Sequence, residues 1–269
     1  MQAKKSLGQH FLTSASLAEK IVRLSEVTAA DAVLEIGPGR GILTRGLIST
    51  VRRVVAVEKD LQLAADLSRE FAAEERVRIV TGDILEMERD HILSLSDVAT
   101  YKVVANLPYN IGSQILFRFV AWRGLVTEST VMLQREVALR LVALPGSKTY
   151  GLLTVLIGLW ATGKIVLKVP PGAFTPRPKV DSAVLRLRWS ATPRFDVGDS
   201  LELFDRIVHA AFRARRKILR NTLSGPNGLG LKADAVCAWL KNIGINPGAR
   251  AEELSIAQYA LLARSFPVS

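Results

Sequence analysis

Short, mostly apolar segments alternate with helical patterns from residue 31 to about residue 135. The apolar segments lack the polar–apolar alternation of a half-exposed strand, which is typical of parallel strands covered on both faces. Strands are predicted over 32–36, 53–57, 76–81, 102–106 and 129–134. Helices are predicted over 42–50, 61–71, 113–121 and 135–144. The alternation predicts an α/β fold with a doubly wound, Rossmann-like parallel sheet.

The pattern changes after residue 160. Two strand-like segments, 164–169 and 182–189, are joined by a proline-rich link without a helix, which indicates an antiparallel pair at the end of the sheet. From residue 199 the pattern is only helical, over 201–215, 232–242 and 256–265. We therefore predict two domains, a sheet domain at 1–196 and a small all-α domain at 197–269.

The composition excludes several classes of protein. The 269 residues include 36 Lys+Arg and 25 Asp+Glu, a net charge of +11, and 49% are hydrophobic, which excludes intrinsic disorder. The single cysteine, Cys237, excludes an intrachain disulfide framework and a cysteine-based zinc site, and we expect no metal. No secretory signal is evident, and the most apolar run, 152–161, is shorter than the roughly 20 residues of a membrane span. We expect a cytoplasmic protein with no membrane partner.

Positive charge is concentrated in the segment that follows residue 205. Arg213, Arg216, Lys217 and Arg220 have the i, i+3, i+4, i+7 spacing of one helical face, and no acidic residue occurs from 207 to 231. Like charges stacked in this way weaken an isolated helix, so the pattern predicts contact with an anionic partner. The alternative is a basic face that only contacts solvent.

A glycine-rich turn follows the first strand of the predicted sheet. Gly37, Gly39 and Gly41 come after Glu35, and a helix is predicted to begin at Ile42. Glycines at this position allow a tight turn and let a ligand approach the backbone at a helix N-terminus. The dinucleotide fingerprint needs a glycine where this chain has Ile42. Two alternatives remain: the turn serves only strand–helix packing, and Glu35 only anchors loop amides.

Acidic residues follow the next two strands. Glu58 ends the second strand, where a carboxylate can accept two hydrogen bonds from a ribose diol. Asp83 follows the third strand and can accept a hydrogen bond from an adenine amino group. With the glycine spacing, these acids resemble the pattern of the S-adenosylmethionine-dependent methyltransferases. The resemblance implies S-adenosylmethionine as the cofactor, held by a loop that includes Gly37 and Gly39.

The fourth strand leads into Asn106-Leu107-Pro108-Tyr109, at the edge where open α/β sheets bind ligands. The Asn106 side-chain oxygen and the Pro108 carbonyl can accept hydrogen bonds from an exocyclic amine and favour a more reactive nitrogen. Tyr109 offers an aromatic face to a base taken out of its stack. Behind the glycine turn, this motif indicates methyl transfer to a planar amine. The alternative is a turn in which Tyr109 only packs.

A second aromatic residue, Phe174, lies in the proline-rich link. Prolines restrict the conformations of this segment, so an aromatic side chain there can be presented rigidly. We predict that Phe174 closes on the base from the side opposite Tyr109. The alternative is that Phe174 is a core residue at the hairpin turn.

With these motifs the chain resembles the ribosomal RNA adenine dimethyltransferases, in particular the bacterial type that acts on small-subunit rRNA. The matching segments are the N-terminal motif 5–12, the cofactor and catalytic motifs 34–44, 57–60, 82–85 and 106–111, and the later signatures 174–184, 212–223 and 250–255. Two positions are notable. Gly112-Ser113-Gln114 stands where many relatives have Ser/Thr-x-Pro, and His10 stands where relatives carry His or Asn.

The resemblance implies a set of residues that bind S-adenosylmethionine: His10, Leu12, Gly37, Glu58, Asp83 and Asn106. It implies transfer of two methyl groups to each of two adjacent adenosines, in a hairpin near the 3′ end of 16S rRNA, on an assembling 30S subunit. The catalytic residues are then Asn106, Pro108, Tyr109 and Phe174, and the helical domain binds RNA through its basic face. No large exposed apolar helix face is evident, so a monomer is expected.

Other functions are compatible with parts of this pattern. Relatives that methylate large-subunit rRNA share most of the cofactor motifs, but the proline-rich link and the C-terminal signature favour the small subunit. A non-catalytic RNA-binding assembly factor on the same fold would have lost Asn106, Glu58 or Asp83, and this chain keeps all three. A dehydrogenase is the weakest alternative, because Ile42 breaks its glycine spacing.

Overall fold

A computed structural model describes residues 8–267 of the chain. The strands are β1 (Phe11–Leu12), β2 (Ala32–Ile36), β3 (Arg53–Glu58), β4 (Val77–Thr81), β5 (Tyr101–Asn106), β6 (Val126–Gln134), β7 (Ala161–Val169), β8 (Phe174–Thr175) and β9 (Ser182–Trp189). The helices are α1 (Ala15–Leu24), α2 (Ile42–Ile48), α3 (Leu61–Glu70), α4 (Arg89–Ser94), α5 (Gly112–Ala121), α6 (Arg135–Leu141), α7 (Leu152–Gly158), α8 (Leu201–Phe212), α9 (Leu219–Leu223), α10 (Ala233–Asn242) and α11 (Ile256–Arg264).

The central sheet has the order β4-β3-β2-β5-β6-β9-β7. Strands β2 to β6 pair in parallel, and β9 pairs antiparallel with β6. Every residue of β2 is buried, as expected for a strand covered on both faces. The predicted α/β class is therefore confirmed, and the two later strands lie at the end of the sheet as predicted.

A separate two-stranded pair brings the N-terminal segment against the proline-rich link. In this antiparallel pair of β1 and β8, Phe11 is opposite Thr175 and Leu12 is opposite Phe174. Two residues are too few to show a period, so these strands could not be predicted from the sequence. The pair holds Phe11 and Leu12 against the proline-rich link.

The chain divides into two compact units. The first contains the described residues up to Ala138 together with Thr162–Ala191, and the second contains Leu139–Ala161 together with the described residues from Thr192 onward. The predicted domains, 1–196 and 197–269, did not place Leu139–Ala161 with the C-terminal helices. The reason lies in α7, whose residues Thr154 to Gly158 are all buried, because a helix that is apolar on every side needs helical neighbours.

The predicted helix over 201–215 is shorter in the structure, and this corrects the prediction of one basic helical face. Helix α8 ends at Phe212, residues 213–217 form turns, and α9 begins only at Leu219. Between them, Ile218 is extended and forms an isolated β-bridge with Arg250. The four basic side chains therefore do not share the i, i+3, i+4, i+7 face of a continuous helix.

The described helices include none that is both long and apolar enough to cross a membrane.

An ion-pair cluster joins β9 to β6 inside the first unit. The Arg186 side chain is 4% exposed and donates to Glu128 at 2.7 Å, and it also contacts Glu26. On the same strand, Arg188 is 67% exposed and lies 3.9 Å from Glu128. The two arginines therefore approach one carboxylate from environments of very different solvent exposure.

Replacing Arg186 by Ala should lower the free energy of unfolding by about 2–4 kcal/mol, because it leaves the Glu128 carboxylate without its buried partner. Urea denaturation followed by circular dichroism measures this loss. The matched variant Arg188→Ala removes an exposed contact to the same carboxylate and should cost under about 0.5 kcal/mol. Equal losses of unfolding free energy for the two variants would show that burial of the arginine does not determine how much its ion pair stabilises the fold.

Candidate active site

A cavity lies at the carboxyl ends of β2, β3, β4 and β5, and residues 8–12 form part of its wall. The order of strands in the sheet reverses between β2 and β5, which is the point where open α/β sheets bind ligands. The cavity brings together nine residues that the sequence analysis selected: His10, Leu12, Gly37, Gly39, Glu58, Asp83, Asn106, Pro108 and Tyr109. Phe174 is not among the lining residues.

The glycine turn places open space above its first glycine. Gly37 has φ +65°, and a Cβ built there would meet no atom within 4 Å. A Cβ on Gly41 would lie 2.7 Å from Cδ2 of Leu67 on α3. Gly41 is therefore needed for strand–helix packing, whereas Gly37 leaves room for a ligand beside the backbone.

The buried carboxyl of Glu35 anchors the first turn of α2. The Thr44 hydroxyl donates to Glu35 Oε2 at 2.7 Å, and the Glu35 residue is 1% exposed. Burial raises the pKa of Glu35 to about 8, although the hydrogen bond from Thr44 opposes the shift. A substantial fraction of Glu35 is therefore protonated near neutral pH.

Glu58 holds the loop amides, a role that the sequence analysis considered for Glu35. The amide of Gly39 donates to Glu58 Oε2 at 3.0 Å, and the amide of Asp60 donates to Oε1 at 2.9 Å. Burial raises the pKa of Glu58, and the hydrogen bonds from these amides oppose the shift. A hydrogen bond from the amide of Lys59 also lowers the pKa of Glu58. Because a carboxylate offers about four lone pairs, Glu58 can still accept a hydrogen bond from a ligand.

Asp83 is paired with a lysine at the rim of the cavity. Lys59 Nζ lies 2.5 Å from Asp83 Oδ2, and the amide of Leu85 donates to Oδ1 at 3.0 Å. Burial alone would raise the pKa of Asp83, but the hydrogen bonds from Lys59 and Leu85 and the lysine charge lower it below its usual value. Asp83 is therefore ionised and can only accept hydrogen bonds.

Asn106 presents a buried acceptor atom without a partner. Its Nδ2 donates to the carbonyl of His10 at 2.9 Å, which fixes the orientation of the amide. Its Oδ1 is buried and has no hydrogen-bond partner among residues 8–267. A buried polar atom without a partner costs free energy, so this oxygen marks a place for a donor.

Two further residues of the motif, Pro108 and Tyr109, lie beside Asn106. The carbonyl of Pro108 accepts from the amide of Ile111 at 3.2 Å, which leaves one lone pair for a second donor. The half-buried ring of Tyr109 is stacked on the imidazole of His10, with centroids 5.2 Å apart and planes at 28°. The Tyr109 hydroxyl is hydrogen-bonded to the hydroxyl of Ser182.

Phe174 lies in the hydrophobic core. It is 3% exposed and packs in the cluster that contains Leu12 and Val169. In this conformation the ring does not face the cavity. The structure therefore agrees with the alternative that Phe174 is a core residue at the hairpin turn. Its closure on a base opposite Tyr109 would require Phe174 to leave the core.

The predicted RNA-binding residues are exposed and belong to the second unit. The Arg213 guanidinium donates to the carbonyl of Asn227. Arg216, Lys217 and Arg220 form no ion pair with any described residue. Residues 5–7 of the N-terminal motif lie outside the described part of the chain, where Gly8 is the first residue.

Residues that the sequence analysis did not select also contact this site. Ser182 bonds the Tyr109 hydroxyl, and Thr44 bonds the Glu35 carboxyl. Ser182 lies inside the signature 174–184, but its residue type alone carries no signal of this contact. Within residues 8–267, no group of His, Cys, Asp and Glu side chains is arranged to hold a metal ion.

Nearly the whole chain matches a known protein family. The family described as "Ribosomal RNA adenine dimethylase" matches residues 1–267. Among curated relatives, the ribosomal RNA small subunit methyltransferase A of Geobacter sulfurreducens is 43% identical over 264 residues, covering 98% of this chain and 95% of the relative. The protein of the same name from Syntrophotalea carbinolica is 44% identical over 261 residues, covering 97% and 96%.

Two solved structures share the fold. A dimethyladenosine transferase from Plasmodium falciparum superposes with a TM-score of 0.79 at 22% identity, over 94% of this chain and 96% of that chain. The 23S rRNA methyltransferase ErmE superposes with a TM-score of 0.68 at 28% identity, over 95% and 98%.

The raised pKa of Glu35 predicts a pH dependence of stability. Because the folded protein holds this proton up to a pH of about 8 and the unfolded chain releases it near 4.5, stability falls as pH rises between these values. Glu35→Gln keeps an acceptor for Thr44 and removes the titration. Between pH 6 and 8 the wild type should lose up to about 2 kcal/mol more unfolding free energy than this variant.

Urea denaturation at several pH values measures the difference. Glu75→Gln, at an exposed position, removes one carboxyl elsewhere and should keep the wild-type dependence. Parallel profiles for the wild type and Glu35→Gln would show that Glu35 does not titrate in this range.

Proposed function

Because the chain belongs to the ribosomal RNA adenine dimethylase family, we propose that it dimethylates the N6 amines of two adjacent adenosines in a hairpin near the 3′ end of small-subunit rRNA. The chain is an rRNA adenine dimethyltransferase whose cofactor is S-adenosylmethionine. The small subunit is favoured over the large one by relatives at 43% and 44% identity that are named for the small subunit, against 28% for ErmE.

The unpartnered Asn106 Oδ1 is the observation that carries the proposal. Asn106 lines the cavity, and the bond from its Nδ2 to the carbonyl of His10 keeps the amide from turning over, so Oδ1 remains a fixed acceptor. An exocyclic amine is a donor and satisfies it. A non-catalytic factor would have no need of an acceptor held in this way.

The chain's own residues position the amine for transfer. Asn106 Oδ1 and the free lone pair of the Pro108 carbonyl accept its two N–H groups, which favours a nitrogen lone pair directed out of the base plane. Tyr109 stacks on the base and limits its orientation, a contact worth roughly 1–3 kcal/mol. Burial raises the pKa of Tyr109, so its hydroxyl stays protonated and does not act as a base. Catalysis therefore depends mainly on positioning.

The other end of the cavity fits the proposed cofactor. The open space above Gly37 admits a ligand beside the turn, Glu58 retains acceptor capacity for a ribose diol, and ionised Asp83 accepts from an adenine amino group. When bound, S-adenosylmethionine supplies an electrophilic methyl group on its sulfonium. Glu58 and Asp83 orient it by these contacts, and residues 8–12 cover one side of the cavity.

The basic residues of the second unit suit an RNA backbone. Arg216, Lys217 and Arg220 are exposed and have no acidic partner among the described residues, so their charges are available to phosphates. We propose that they contact rRNA on an assembling 30S subunit in the cytoplasm, and that the protein acts as a monomer. Because the helical face is interrupted, these contacts do not require a continuous helix.

Replacing Asn106 by Ala should lower methyl transfer on the order of 10²–10³-fold, because the amine loses an acceptor at the reacting nitrogen. The measurement is transfer from labelled cofactor to undermethylated small subunits, followed by mapping of the modified nucleosides. RNA binding should be unchanged. Asn242→Ala removes an exposed amide on α10 and serves as the control. Wild-type transfer by Asn106→Ala would refute the mechanism.

Replacing Arg216, Lys217 and Arg220 together by Gln should weaken RNA binding and flatten its dependence on salt. Each lost phosphate contact reduces the slope of log K against log salt by about 0.7–0.9, so the triple variant should lose about 2–3. Titration of labelled rRNA at several salt concentrations measures the slope.

The control for this variant changes three exposed cations elsewhere, Lys20, Arg23 and Lys164, to Gln. It alters the net charge equally and should keep the wild-type slope. Equal slopes for both triple variants would indicate that the RNA surface lies elsewhere.

A further inference from the structure

The ring of Tyr109 is held at two points by groups that the proposed reaction does not use. The imidazole of His10 is stacked on one face, with centroids 5.2 Å apart. The Ser182 hydroxyl bonds the phenolic oxygen at the far end of the ring. Two contacts of this kind restrict both the tilt of the ring and its displacement in its own plane.

His10 is itself fixed by the proline-rich link. Its Nδ1 lies 2.7 Å from the carbonyl of Pro176. A carbonyl oxygen only accepts hydrogen bonds, so Nδ1 must carry the proton in this contact. The same residue offers its backbone carbonyl to Nδ2 of Asn106. His10 therefore orients both side chains that the proposed mechanism places against the base.

The spacing of the two rings determines where a base can stack. A base inserted between them would need about twice the spacing of stacked bases, roughly 7 Å. The observed separation is 5.2 Å. A base that contacts Tyr109 in this arrangement therefore stacks on the face that His10 does not cover.

Ser182 is a rigid support for the hydroxyl. It is the first residue of β9, pairs with Gln134 of β6, and is 0% exposed. A buried hydroxyl on a paired strand has little freedom, so its bond fixes the position of the Tyr109 oxygen relative to the sheet. The mechanism gives the Tyr109 oxygen no part in proton transfer, which leaves positioning as the function of this bond.

We propose that His10 and Ser182 are positioning residues for the acceptor base: His10 covers one face of Tyr109 so that adenine stacks only on the other, and Ser182 fixes the ring in its plane. The inference rests on the proposed function. It differs from the role in cofactor binding that the family resemblance implies for His10, because it acts through the imidazole face and not through a nitrogen atom.

The test for His10 compares two substitutions. His10→Phe keeps an aromatic face against Tyr109 and loses both ring nitrogens, whereas His10→Ala loses the face as well. We expect single-turnover methyl transfer within about threefold of wild type for His10→Phe, and a loss of at least about tenfold for His10→Ala. Both rates are measured at saturating S-adenosylmethionine, and the Kd of the cofactor, measured by calorimetry, should change by the same factor in both variants, because both lack the ring nitrogens.

The results separate the possible roles of His10. Equal losses of the single-turnover rate for the two variants at saturating cofactor would assign the function to a ring nitrogen and overturn the inference. Inactivity of the wild type on small subunits would instead overturn the proposed function, because every comparison here is made against an active enzyme.

The test for Ser182 is a double-mutant cycle with Tyr109. Ser182→Ala and Tyr109→Phe each remove the same hydrogen bond from opposite sides, so each should lower the single-turnover rate about fivefold or more, and the double variant should be no slower than either. KM for the RNA should change less than kcat. Tyr109→Phe gives a second, independent measurement, because it breaks the same hydrogen bond without removing volume from the core around Ser182.

A matched control is available in the same sheet. Ser129 is also buried and accepts a hydrogen bond at 2.9 Å from the indole of Trp189, away from the cavity. Ser129→Ala should lower Tm as Ser182→Ala does and leave the rate unchanged. The inference is wrong if the effects of Ser182→Ala and Tyr109→Phe on the rate multiply. It is also wrong if Ser129→Ala lowers the rate as much as Ser182→Ala does, because Ser182 then has only a structural role.

Discussion

The parallel register of β2, β3, β4 and β5 is the constraint on which the site depends. Ile36 pairs with Val57 and Glu58 pairs with Thr81, so neighbouring strands end level with one another. The polar residues at these strand ends therefore surround one cavity. A slip of one residue would turn Glu58 to the opposite face of the sheet and separate it from Asn106. The same register buries β2 on both faces, so the stability of the core and the geometry of the site are specified together.

The central sheet and the glycine turn could be predicted because both depend on local patterns. An apolar strand followed by glycines and a helix is typical of a parallel α/β sheet. In such a sheet ligands bind at the carboxyl ends of the strands, so the location of Glu58 and Asp83 at this edge could be predicted as well. The interrupted basic face could not be predicted in this way. Residues 213–217 leave the helix where Ile218 pairs with Arg250, a contact between segments distant in sequence. The burial of Phe174 could not be predicted either, because it depends on pairing with Leu12, which is distant in the chain.

The contacts around Tyr109 could not be predicted from a sequence pattern, because they join residues that are far apart in the chain. The hydrogen bond from Asn106 reaches a residue 96 positions away, and the one from Tyr109 reaches Ser182, 73 positions away. A serine carries no periodic or compositional signal that distinguishes a support from a surface residue. His10 was selected by resemblance, but only the geometry shows that its carbonyl and its ring serve two neighbouring side chains. The motif 106–109 thus identifies the reacting groups, whereas distant segments set their orientation.

The carboxylate of Glu58 has a thermodynamic effect on the turn beside it. By accepting hydrogen bonds from the amides of Gly39 and Asp60, it ties the turn to the end of β3 through the protein's own groups. The conformational entropy of these backbone groups is therefore lost during folding and not at the moment of ligand binding. A turn preorganised in this way retains a larger share of its contact free energy as affinity.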